Sequence, residues 1–475
     1  MIQKITYGLI KDFQQCPERF WFKLRQQPIE QEQDLSHYFF REQRSLLELK
    51  SIQYFKEKGY TPNQKVQFWD DFFEMNLDLC WESSDKYISF CEVHSHYKLN
   101  LAQQYEMAFK VSILLRLGYR IQNIFSAHLN SNYIKKEKGE TESKILHFYE
   151  VKKKVMDLVP EISQTIEVAL DYGLQTEIDY SRHSCKSKNC PVFSHIHPQL
   201  QESNLNELRG IDKETILQLL SLGIHQISEI PLPLSKNKIQ QLQIKLSNSS
   251  QPIIYKKELR AWIKQVKYPI YFIDYEATTS FIPIYKNSSP QQHIVFQYSL
   301  HILENPLVEP IHKEYIADGN DLPYLELLTR LKQDIQDQSG SILVWHDSFE
   351  KARNKEMAAY FPAFKDFITS INNRIIDLEK VFLLENGFYF HPACNGKSSI
   401  KKILPAIFPE EETYSQMEIS DGMSAAIHWH RYLTKELSDE EKLRIRKELL
   451  NYCKMDTFAL YKIFKHLWDY TSNLD

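Results

Sequence analysis

Glycine is scarce, at 12 of 475 residues, and neither GxGxxG nor GxxxxGK[ST] occurs, which disfavours the glycine-rich loops that cradle nucleotide phosphates. No run approaches the ~18 apolar residues of a membrane span. The opening MIQKITYGLIKDFQQC breaks its apolar residues with two lysines and an aspartate, unlike a secretory signal, so a cytoplasmic location without a membrane partner is expected. An excess of charge of one sign is also lacking. Lys and Arg total 58 against 62 Asp and Glu, a net charge of −4, so nucleic-acid binding would need a local basic surface. The cysteines (Cys16, Cys80, Cys91, Cys185, Cys190, Cys394, Cys453) are seven in number and scattered. That speaks against a secreted disulfide framework and leaves metal binding or plain burial.

What is present is ordinary globular material: 43% hydrophobic and 25% charged residues, with 27 Tyr and 27 Phe. At ~100–200 residues per domain the length leaves room for two to four domains. Residues 1–200 open with a helical segment, TYGLIKDFQQCPERFWFKLR, followed by a strand pair, FFEMNLDLCWE and KYISFCEVHSH. LAQQYEMAFKVSILLRLGY then has apolar residues at helical spacing and leads into a strand, RIQNIFSAHLN, a pattern that predicts an α/β core. Residues 201–255 read as a small helical module with two glycine turns, ending in a Ser/Asn/Gln-rich linker, IKLSNSSQP. A second α/β domain spans 265–475. Its strands are expected at YPIYFID, 293–303 and 341–346, and its helices at 349–360, 440–450 and 453–468.

Acids sit at marked places in that second domain. Asp274 and Glu276 end a strand, where alternation puts both on one face; taken alone, D-x-E is equally a solvated strand end. Glu350 falls in the first turn of a helix, where an acid can simply complement the helix dipole. Tyr452 and Asp456 are four apart and share a helical face, as two residues on any half-buried helix would.

In this order the three elements resemble the DEDD exonucleases, in the subtype whose last motif is YxxxD. The resemblance covers roughly residues 268–475 and implies a ribonuclease H-like fold. It also implies Asp274, Glu276, Glu350 and Asp456 as metal-binding acids, and Tyr452 as the group orienting the attacking water. The family usually has Asp where this chain has Glu350. RIIDLEKVF resembles the strand after the second motif and makes Asp377 an auxiliary acid. Two divalent ions ~3.5–4 Å apart need several carboxylates, and octahedral oxygen sites suit Mg²⁺ or Mn²⁺. Between the motifs, Asn395-Gly396, Ser398, Ser399, Lys397, Lys401 and Lys402 offer either phosphate contacts or a solvated basic helix start.

In the N-terminal half, Cys16 and the later Cys185 and Cys190, in HSCKSKNCPVFSHIH, resemble the split cysteine set of RecB-like nucleases of the PD-(D/E)XK superfamily that carry an iron–sulfur cluster. In that family one early and three late cysteines clamp the domain ends together. Here the fourth thiolate is absent, and His195 and His197 flank its place. A Cys₃His cluster, a Zn²⁺ site with the same ligands and a metal-free remnant all remain open. The nuclease motif would be Asp78 and Glu92-Val93-His94, with histidine in place of the motif lysine. Lys110 stands where the next helix usually has Gln, as a substitute for that lysine or as an i,i+4 partner of Glu106. Residues 205–230 resemble a helix-hairpin-helix, which holds a DNA phosphate on glycine-turn amides.

The whole chain resembles an uncharacterised bacterial family joining two such domains. The resemblance implies a DNA nuclease, with RNA also open, acting as a 3′–5′ exonuclease. The rival expectation is a nucleic-acid-binding or scaffold protein built from two inactive nuclease folds.

Overall fold

The computed structural model describes residues 3–25, 35–84, 86–136, 142–180, 187–319, 321–337, 339–410 and 417–472. The chain forms two compact α/β units. The first comprises Met1–Glu202, Asp212–Glu214 and Ser280–Gln292; the second comprises Ser203–Ile211, Thr215–Thr279 and His293–Asp475.

The first unit carries a five-stranded sheet: β1 (Asn63–Trp69), β2 (Glu74–Ser84), β3 (Tyr87–His94), β4 (Arg120–Leu129) and β5 (Leu146–Glu150), side by side in chain order. Neighbours are antiparallel except β3 and β4, which run parallel because the helix Leu101–Arg116 crosses over between them. A reciprocal cap between Asn100 and Gln103 starts that helix. Its Met107, Phe109, Val111, Ile113 and Leu114 are buried with Phe90 and Ile124.

The N-terminal helical segment is broken in two, Tyr7–Gln15 and Pro17–Arg25, with Cys16 extended between them (φ −165°, ψ 102°). Pro17 bars its predecessor from the α region while suiting the first turn of the next helix. Cys16 therefore sits at a corner and not inside a helix.

The strands of the second unit are β6 (Ile253–Ile254), β7 (Ile270–Thr278), β8 (Ile294–Leu303), β9 (Ile311–Ile316), β10 (Ile342–Val344), β11 (Ile375–Asp377) and β12 (Tyr389–Phe390). β6 and β12 pair with each other, and the other five form a sheet in the order β11-β10-β7-β8-β9. β7, β8 and β9 are an antiparallel meander, while β10 and β11 run parallel to β7. The carboxyl ends of β7, β10 and β11 thus open on one edge of the sheet, the side where α/β sheets gather ligand-binding groups.

Two helices differ from expectation. Residues 439–472 form one helix, Asp439–Ser472, because neither Gly nor Pro interrupts at 451–452 and the buried series Ile445, Leu449, Tyr452, Asp456, Leu460, Phe464, Leu467 keeps a 3–4 spacing throughout. The helix Gly422–Thr434 was not anticipated; Asp421 caps it by accepting from the Ser424 N–H, and Trp429 stacks on Phe296 at 4.6 Å.

In the helical module, Gly210 and Gly223 take φ +67° and +75°, the left-handed values that favour glycine. The first half of the expected linker is helical (Lys238–Ser247) because Leu242 and Leu246 pack with Leu384 and Phe390. Among the described residues no helix is long and apolar enough to cross a membrane.

Between β8, β9 and the helix Asp439–Ser472 lies a buried polar network. Thr457 Oγ1 meets Ser299 Oγ at 2.7 Å and His301 Nδ1 at 2.8 Å, and Ser299 reaches His312 at 3.0 Å. Burial pushes His301 down to about 3, helped by His312 and Lys454. The unfolded chain therefore takes up a proton below pH ~6.5 that the folded chain refuses until about 3, so this stability is full above 6.5 and is lost as pH falls through that window. Wild type should lose on the order of 1–2 kcal/mol more than His301→Gln between pH 7 and pH 5, measured by urea unfolding at both; equal losses would contradict the assignment.

Candidate metal centre

The sequence-expected acids of the second unit gather at the carboxyl edge of its central strand. β7 presents Asp274, partly exposed, and Glu276, buried; with Cys453 of the long helix they form a set whose ligand atoms all lie within 4.8 Å of one another. Cys453 Sγ lies 3.5 Å from Asp274 Oδ2, as donor. Beside the pair, the register of β7 against β8 shifts between Glu276 and Ala277, a bulge of the kind that re-aims side chains near sites.

Asp456 is buried and is the foremost charge acting on both Asp274 and Glu276. Glu350 arrives from the β10 side in the first turn of the helix Ser348–Tyr360. It is 3% exposed, and its Oε2 has no hydrogen-bond partner. Asp456 and Glu350 fall outside the tight three-residue set. Gly422 brings a helix N-terminus to the site, since a Cβ there would lie 3.7 Å from Glu276 Oε2.

Burial pushes the Asp274 carboxyl well above its usual range, and Asp456, Glu276 and Glu350 push it further. Glu276 is raised by burial and then by Asp456, with Lys401 pulling the other way. Glu350 is raised to about 8 by burial, with Asp377 and Asp347 adding to it. Carboxylates so placed cannot all ionise without a cation among them. A divalent ion with oxygen ligands fits this donor set, and the orphaned Glu350 Oε2 is an available ligand atom.

Asp377 ends β11, and its Oδ1 accepts from the backbone N–H groups of His346 and Glu379, both at 3.0 Å; the first of these holds the turn that leads into the helix of Glu350. Lys401 donates to Ser420 O at 2.5 Å and lies 5.5 Å from the ring centroid of Tyr452, which is buried. Cys453 is the member that sequence reasoning missed. Its signal was inside the YxxxD motif itself, because residues 453 and 456 share a helical face.

The N-terminal motif residues also lie together, but each acid is matched by a cation. Arg44 Nη2 spans both oxygens of Asp78 at 3.0 and 2.8 Å. Asp78 is held below the usual carboxylate range, because Arg44, Lys110 and the Val93 N–H outweigh its burial. Lys110 Nζ meets Glu92 Oε2 at 2.5 Å and Glu106 only at 3.7 Å. The helix-surface pair with Glu106 is therefore secondary. Burial alone would lower Lys110, and Glu92, Asp78 and Glu106 raise it.

His94 cannot supply the charge of the lysine it replaces. Burial and then the His128 ring, 5.0 Å away, push it down to about 3. A cavity of about 760 Å³ adjoins this cluster, lined by Lys11, Arg41, Arg44, Lys65, Asp78 and Lys110 among others.

Cys185 lies outside the described residues. Cys16 and Cys190 are buried, and the helices that follow them, Pro17–Arg25 and Pro191–Ile196, pack together, with Phe22 against His195 at 4.9 Å. His197 packs on Phe193 at 5.1 Å and is lowered by burial and Lys213. Among the described residues these side chains form no metal-ligating group of three.

Comparison with known proteins places part of the chain. Residues 271–399 match the family model described as a domain of unknown function, DUF2779. The match spans Asp274, Glu276, Glu350 and Asp377 and stops before Lys401, Tyr452 and Asp456. The chain is also similar to the uncharacterized protein MG366 of Mycoplasma genitalium, 26% identical in a match 329 residues long that covers 64% of this chain and 49% of that protein. It is similar as well to the MG366 homolog of Mycoplasma pneumoniae, 25% identical over 281 residues, 56% of this chain and 42% of that one. The matches thus span less than half the length of either relative. No solved structure matches.

Proposed function

We propose that the chain is a cytoplasmic, divalent-metal-dependent nuclease that removes nucleotides from DNA, as a 3′–5′ exonuclease, with its reaction centre in the second unit. The observation that carries this reading is the acid cluster at the carboxyl edge of β7: half-buried Asp274 and buried Glu276 feel the charges of buried Asp456 and Glu350, with Glu350 Oε2 left unsatisfied. A central first strand, an antiparallel meander on one side and two parallel strands on the other support the ribonuclease H-like reading of this unit. The five-strand sheet of the first unit, with its single parallel pair, supports a PD-(D/E)XK-like ancestry.

In this reading Asp274, Glu276, Glu350 and Asp456 hold the ions, which when bound would activate water and stabilise the leaving oxygen. Tyr452 orients the attacking water. Lys401 offsets negative charge beside Glu276, and Asp377 keeps Glu350 in position. Asp78 and Glu92, each neutralised by a cation, do no chemistry, and the first unit binds nucleic acid through its basic side chains. Cys16, Cys185, Cys190 and His195 or His197 either hold an iron–sulfur cluster or Zn²⁺ that ties the ends of the first unit together or are the metal-free remnant of such a site.

The test is incubation of the purified protein with 5′- and 3′-labelled single- and double-stranded DNA and RNA in Mg²⁺, Mn²⁺ or EDTA. Stepwise shortening of 5′-labelled DNA with metal and none in EDTA is expected. An intact substrate under every metal condition favours a binding or scaffold role.

A further inference from the structure

The metal centre contains a group that a pure oxygen site does not need. Cys453 is fully buried, and its Sγ shares with one oxygen each of Asp274 and Glu276 a set closed to within 4.8 Å. An ion bound to oxygen at ~2.0–2.2 Å and sulfur at ~2.3 Å holds its ligand atoms no more than ~4.5 Å apart, so small side-chain adjustments would bring all three onto one ion. A second observation also points to a cation there. Glu350 is 3% exposed, its Oε2 is unpartnered, and its charge bears on both Asp274 and Glu276.

We propose that Cys453 is a metal ligand, which makes the centre a mixed sulfur–oxygen site preferring a borderline-soft divalent ion such as Zn²⁺ or Co²⁺ to Mg²⁺. This deepens the metal-centre reading above and rests on it. Thiolate ligands select softer ions, whereas carboxylates alone suit Mg²⁺ and Mn²⁺. As the metal–sulfur bond forms, the thiol proton passes to solvent and Sγ supplies the electron pair; nothing is oxidised or reduced. The helix places the ligand without special geometry, since Cys453 and Asp456 are three residues apart on one face.

The experiment is metal titration of the EDTA-stripped full chain with Zn²⁺, Co²⁺, Mn²⁺ and Mg²⁺ separately, by calorimetry and by Co²⁺ absorption, for wild type, Cys453→Ser, Cys453→Ala and Asp274→Asn. Wild type should show a sulfur-to-cobalt charge-transfer band. The difference spectra against both Cys453 variants and against Asp274→Asn should contain that same band, which separates it from any signal of the N-terminal cysteines. Cys453→Ser should weaken Zn²⁺ binding at least ~10-fold and change Mn²⁺ binding little, a selective loss that general unfolding would not produce. Zn²⁺ affinity and the band unchanged in both Cys453 variants, but lost in Asp274→Asn, would overturn this proposal alone. No ion lost in Asp274→Asn would overturn the metal-centre reading with it.

Discussion

Asp274→Ala and Asp456→Ala should each reduce cleavage by ~10²–10³-fold or more, since losing a preorganised source of transition-state charge stabilisation costs at least that much. Tyr452→Phe should slow the reaction without abolishing it, because the metal-binding acids survive. Glu92→Ala should leave the rate nearly unchanged, because Glu92 is joined to Lys110 and Asp78 to Arg44, so each acid already has a cation as its partner. Initial rates on a labelled oligonucleotide decide the matter. The opposite pattern, activity lost in Glu92→Ala and kept in Asp274→Ala, would move the chemistry to the first unit, with Lys110 in the role of the missing motif lysine.

Lys110→Met should be among the most damaging single substitutions in the first unit. Glu92 and Lys110 are both buried, and the second oxygen of Glu92 has no other partner. Removing the ammonium leaves a buried acid without compensation, at a cost of ~3–5 kcal/mol. Chemical unfolding should show that loss. The double variant Lys110→Met/Glu92→Gln should recover most of it, because an apolar side chain beside a neutral amide no longer buries a charge. A single variant as stable as wild type, or a double variant no better than the single one, would contradict the pairing.

The parts of the fold legible in the sequence are those carried by local patterns. β2, β3, β4, β7 and β8 follow from runs of apolar and aromatic residues, and the crossover helix Leu101–Arg116 from 3.6-residue spacing. Asp274 and Glu276 share a site because strand alternation places them there. Glu350 reaches it because β10 runs parallel to β7 and hands over to a helix at the same edge.

Pairings between distant segments were not legible. Nothing in the spacing announces that Arg44 spans Asp78, or that Lys110 prefers Glu92, 18 residues earlier, to Glu106 in the next turn. Cys453 was hidden for a different reason. A lone cysteine on an apolar helix looks like plain burial, and only the packing of that helix across β7 turns it toward Asp274. The helix Gly422–Thr434 was obscured because its apolar residues are interrupted by His428, His430 and Arg431, although Asp421 before Gly422 was a usable capping signal. Cys16 shows the reverse case, in which a local rule, the restraint Pro17 places on its predecessor, was sufficient to break the segment.

The most direct measurement of the central claim is anomalous diffraction from crystals of the full chain soaked in Mn²⁺. Two manganese peaks ~3.5–4 Å apart, within ligand distance of Asp274, Glu276, Glu350 and Asp456, are expected. Peaks only elsewhere, or an acid cluster that stays metal-free at saturating Mn²⁺, would contradict it.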